Sequence, residues 1–118
     1  MNKFGLASLA LVLSLSAAHA QSAHGSHGAA PANAPESTRE FQAANDRMHK
    51  DMSIKFSGNA DIDFIRGMIP HHQGAIDMAR VVLKHGKDPE TKKLAEEIIK
   101  AQEKEIAFMR DWLKKKGQ

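Results

Sequence analysis

The chemistry of this chain sits in its methionines and histidines. Five methionines follow residue 20 (Met48, Met52, Met68, Met78 and Met109) against three leucines (Leu83, Leu94 and Leu113), an inversion of ordinary usage. The whole chain carries seven histidines, six of them after residue 20, and cysteine is absent. Without thiolates the thioether is the soft ligand left to the chain. It suits Cu(I), while imidazole accommodates both copper oxidation states. The lack of cysteine also excludes disulfide scaffolds, thiolate zinc sites and cysteine nucleophiles.

Spacing groups these residues. At about 100° per residue, Met68, His71, His72 and Met78 fall on one broad helix face together with Ala75 and Ala79. Upstream, Met48 and Met52 stack one turn apart with His49 at their edge. Met109 belongs to the apolar stripe of a third helix. Met68, His72, Met48 and Met52 rank first as candidate copper ligands, followed by His71, His49, Met78 and Met109. The competing reading is that each methionine fills a gap in a small core and that His71 and His72 are buried, neutral and hydrogen-bonded. Gln102 and Glu105 fall within the third stripe, where a buried carboxylate needs a partner. Glu105 either orients an imidazole from outside the ligand shell or pairs with a Lys or Arg at the rim.

Three helices must position this set. Ser37-Thr38-Arg39-Glu40 reads as a capping box opening the first, whose stripe is Phe41, Ala44, Met48 and Met52, with Ser57-Gly58-Asn59 ending it. Asp61 is the expected cap of the second, which carries a broad apolar face from Phe64 to Leu83 and closes at Gly86. Pro70 lies inside it, so a kink is expected between Arg66 and Pro70. Asp88-Pro89 opens the third helix, with a stripe from Leu94 to Leu113. Nothing reads as strand. Short connections favour antiparallel neighbours, so the fold expected is all-α, a small antiparallel helical bundle. Its core is thin for one chain, and a homodimer completing a larger bundle is expected.

Residues 1–20 carry the marks of a secretory signal peptide: Lys3, an apolar run from Phe4 to Leu15, and Ala18-His19-Ala20 at the cleavage point. That run is shorter than the roughly 20 residues a membrane span needs, and no other segment approaches it. A periplasmic location with no membrane span after signal removal is therefore expected. Residues 21–36, rich in Gly, Ala, Ser and Pro, read as a disordered tether in which His24 and His27 could hold divalent copper or zinc weakly. Residues 37–118 form the helical domain. The net charge of +3 is too mild for a nucleic-acid binder.

The segment Phe64-Ile65-Arg66-Gly67-Met68-Ile69-Pro70-His71-His72-Gln73-Gly74-Ala75-Ile76-Asp77-Met78-Ala79, with Ile98 to Leu113, resembles the ferritin-like domain of CopM-type periplasmic copper metallochaperones over about residues 40 to 116. The resemblance implies a ferritin-like bundle that holds copper through Met and His and passes it to a copper-accepting or copper-exporting protein. Carried over by position, Met68, His71, His72 and Met78 match the first segment, and Gln102, Glu105 and Met109 the second. Some relatives carry two copies of the domain, whereas this chain has one.

Two other function classes compete. A ferritin-like di-iron oxidase needs paired Glu-x-x-His motifs. The chain has none, and Asp46-Arg47-Met48-His49 is its single carboxylate-x-x-His. His-Glu-x-x-His is also missing, so catalysis is not expected, with copper redox chemistry the minor exception. A metal-free interaction module would use the basic end Lys114, Lys115 and Lys116, although such residues commonly just complement a helix C-terminus.

Overall fold

A computed structural model describes residues 28–118. The expected signal peptide, His24 and His27 lie outside the described residues. Three helices follow in order: α1 (Glu36–Met52), α2 (Ala60–His85) and α3 (Pro89–Lys115). There is no strand among the described residues, and the all-α expectation holds.

Two helix starts differ from the sequence reading. α1 begins at Glu36, after Pro35, with no side chain capping it. Glu40 does not reach back to Ser37; its carboxylate instead accepts from Lys84 Nζ across the helix pair. A charged partner on the neighbouring helix outcompetes a weak local cap. α1 also stops at Met52, and the connector that follows is organised by Asp63, whose carboxylate accepts from Ser57 N (2.7 Å), Ser57 Oγ (2.7 Å) and Gly58 N (3.1 Å). Gly58 supplies the positive φ of 88° that this turn requires. α2 is capped by Asn59 rather than Asp61. The Asn59 side chain accepts from Asp61 N at 3.1 Å and Ile62 N at 3.3 Å, which leaves Asp61 in the first turn facing the helix dipole.

The readings at the end of α2 and the start of α3 stand. α2 passes through Pro70 and ends at Gly86. Asp88 caps α3, accepting from Thr91 N at 2.7 Å, with Pro89 in the first turn.

α1 and α3 both pack against α2 and not against each other. The α2–α3 seam is the larger, built on Ile65, Ile76, Ile106 and Met109, with Met68, Ile69, Ile99, Trp112 and Leu113 partly buried around them. α1 sits close because Gly74 has no side chain: Met48 lies directly over it. On the polar side of α2, Asp77 pairs with Arg47 (3.4 Å) and Arg80 (3.7 Å), and Arg80 approaches Glu103 of α3 at 3.9 Å. These exposed pairs add little stability. The opposite side of α2 is apolar, and Phe64 (62% exposed) stands out from it, as do Leu94 (54%) and Phe108 (65%) from α3.

Two stability outcomes follow. A Cβ at Gly74 would lie 2.5 Å from Met48 Sδ and 2.9 Å from its Cβ, whereas one at Gly67 meets nothing nearer than 3.9 Å. In urea unfolding, Gly74→Ala should therefore lose about 1–2 kcal/mol, overpacking outweighing the helix gain, while Gly67→Ala should gain about 0.5–1 kcal/mol. The hydrogen bonds from Ser57 hold the Asp63 carboxyl below its ordinary value of 3.8. A depressed carboxylate stabilises the fold above the unfolded value, and this contribution disappears as pH falls through the lower folded one. Asp63→Asn should accordingly flatten the acid limb of stability measured below the ordinary aspartate range.

Candidate metal site

α2 and α3 enclose a pocket that gathers part of the expected set. Met68 and His72 enter from α2, and Glu105 and Met109 from α3, with Phe64, Ile65 and Phe108 completing the walls. The antiparallel register brings these positions level across the seam. Met109 is 4% exposed and belongs to the core, whereas Met68 is partly buried at its edge.

His72 is the polar centre of this pocket. Its side chain is 16% exposed, and its Nε2 lies 2.5 Å from Glu105 Oε2. A carboxylate accepts, so Nε2 carries the proton and donates. In the neutral ring Nδ1 is then the nitrogen with the lone pair. It is buried and has no hydrogen-bond partner. A buried imidazole nitrogen left in this state is unfavourable unless something coordinates it. Of the two roles open to Glu105 in the sequence, orienting an imidazole is the one it takes. Gln102 is half-buried one turn earlier on α3, and its Oε1 is also buried without a partner.

The remaining candidates do not line this pocket. His71 is exposed, its ring 6.0 Å from that of His72 and inclined by 60°. Met48 packs on Gly74 in the α1–α2 seam, and Met52 is half-buried at the end of α1. His49 is exposed, and its carbonyl accepts from Ser53 Oγ at 3.0 Å. Met78 lines a different, apolar groove with Phe41, Leu94 and Ile98. The separation has a simple cause: α1 and α3 occupy different sides of α2, so methionines of α1 meet other residues of α2 than Met109 does.

One cluster escaped the sequence reading. Glu36, Glu40 and His85 bring oxygen and nitrogen atoms within 4.8 Å of one another. His85 Nε2 lies 3.2 Å from Glu40 Oε2, outside good hydrogen-bond geometry. Lys84 Nζ donates to both carboxylates and so occupies the place a cation would take. Its hydrogen bond is the main cause holding the Glu40 carboxyl below the usual range, and the same contacts raise Lys84. The spacing of Glu36 and Glu40 by four, opposite a Lys-His pair at the end of the next antiparallel helix, was the available signal.

The His72 geometry can be checked directly. In nitrogen-resolved NMR of the neutral ring, the proton of His72 should sit on Nε2. Glu105→Ala should increase the share of the Nδ1-protonated tautomer, and an unchanged tautomer ratio would contradict the contact.

Comparison with known proteins places the chain in context. Uncharacterized protein L153 of Acanthamoeba polyphaga mimivirus is 45% identical over 49 residues, a stretch that is 42% of this chain and 32% of that protein. The chain therefore matches only about a third of that relative's length. A family profile, by contrast, matches residues 8–113, most of the sequence. By that match the chain belongs to the family described as Domain of unknown function (DUF305).

Proposed function

We propose that this protein is an exported copper carrier of the periplasm, without enzymatic activity, which holds Cu(I) in the α2–α3 pocket and hands it to a copper-accepting or copper-exporting protein. The observation that carries this reading is the buried, unpartnered Nδ1 of His72, a residue that lines one pocket together with Met68 and Met109. One imidazole and two thioethers form a donor set suited to Cu(I), and a cysteine-free chain offers nothing softer. Glu105 keeps the ring's other nitrogen protonated and so leaves Nδ1 available as a ligand, the usual arrangement around metal-bound histidine.

Neutral ligands without thiolate charge hold copper in an exchangeable way, as delivery requires. His71, beside His72 and exposed, is placed to meet copper on entry or release and could add a nitrogen for Cu(II). Met48, His49, Met52 and Met78 contribute to packing or to secondary capture rather than to this pocket.

Anaerobic titration of the purified protein with Cu(I), against a chromophoric chelator, tests the proposal. The protein should take up copper from the chelator. Met68→Leu with His72→Ala should abolish that competition, and Glu105→Gln should weaken it by about 10- to 100-fold. Met48→Leu with Met52→Leu should change it little. Failure of the unaltered protein to compete, or equal losses in both double variants, would overturn the assignment to this pocket.

A further inference from the structure

α3 carries two adjacent stripes. Ala95, Ile99, Gln102, Ile106, Met109 and Leu113, spaced alternately by four and three, lie at its seam with α2, with Ala95, Ile106 and Met109 fully buried. Next to them, Leu94, Ile98, Ala101, Glu105 and Phe108 repeat at four, three, four and three, and all except the half-buried Ile98 are exposed. A sustained 3–4 alternation is the pattern a helix presents to another helix. No described element covers this second stripe. α1 packs on α2 and not on α3, which leaves this second stripe uncovered.

We infer that a second copy of this chain covers that stripe, its α3 lying antiparallel to the first across a two-fold axis near Ala101. Three features favour a copy over another partner. Leu94 and Phe108 stand seven residues either side of Ala101, so a two-fold there brings each Phe108 to the other copy's Leu94. The groove at that end is apolar, lined by Ala75, Met78, Ala79, Val82 and Ala95 between Phe41 and Leu94, and suited to receive an aromatic side chain. On the flank of the stripe away from α2, Glu97 of one copy falls opposite Lys104 of the other, and the symmetry makes this pair twice. Ala101 is small enough for close approach at the axis.

The dimer rests on this packing and not on copper, although it covers Glu105 and Phe108 and so closes the open side of the His72 pocket. Its failure and that of the copper proposal are thus separable, since each is measured without the other.

Sedimentation equilibrium of metal-free protein from about 1 to 100 µM should show a monomer–dimer equilibrium. Leu94→Lys and Phe108→Lys, both at exposed positions, should weaken the dimer at least tenfold while leaving the helical circular dichroism unchanged. Glu97→Lys should weaken it through like-charge contact with Lys104, and Glu97→Lys combined with Lys104→Glu should restore it. Ala101→Cys, the sole cysteine in the chain, should form an intermolecular disulfide under mild oxidation. A monomer throughout, or a dimer indifferent to Leu94→Lys and Phe108→Lys, would overturn the inference and leave the face to a different partner. So would failure of the reversed charge pair to restore association, or of Ala101→Cys to cross-link.

Discussion

Among the described residues, every contact between helices runs through α2. Its 26 residues, about 39 Å of helix, must present one packing surface to α1 and another to α3 while keeping a polar strip between them on one side. Side-chain size divides the labour. Gly74 admits Met48 and brings α1 close, and Ile65 and Ile76 supply bulk to the α3 seam. Among the described residues Ile76 is the one large side chain enclosed almost completely, so the hydrophobic stabilisation of the domain is spread thinly.

The candidate copper site depends on that arrangement. Met109 is buried because it belongs to the α2–α3 core, Met68 is half-buried because it lies at the edge of that core, and His72 is nearly buried because Glu105 reaches it from the opposite helix. Methionine is suited to both tasks: it packs irregular space and offers a polarizable sulfur. In the copper reading proposed above, the neighbouring imidazole would decide between packing and ligation. His72, with an unpartnered ring nitrogen, shares its pocket with two methionines, whereas Met48 over Gly74 is closed packing.

The two sides of α2 also differ in charge. Arg47, Asp77, Arg80 and Glu103 form a solvated network on one side, and Lys84 gathers Glu36 and Glu40 at the end where α1 starts and α2 stops. Most partners in these pairs are exposed, solvent screens them, and each pair adds little to stability. The apolar side has no such network, which is why its aromatic and aliphatic residues remain the open surface of the domain.

Much of this was legible from residue order. The three helices, the Asp88 cap, the end at Gly86 and the absence of strands follow from 3.6-residue periodicity and from local backbone chemistry, which neighbouring residues decide among themselves. The pairing of Met68 with His72 on one face and the role offered to Glu105 were legible for the same reason. What periodicity could not supply was the choice between competing partners. Glu40 turned from a capping box to Lys84 and the α1 methionines parted from Met109, each because a helix meets its neighbours on particular sides, while Asn59 took the cap from Asp61 through contacts within its own first turn. A wheel defines a face only on its own helix. Tertiary packing alone decided that Met68, His72, Glu105 and Met109 share a pocket, because only the antiparallel register of α2 and α3 sets which turns of the two helices stand level.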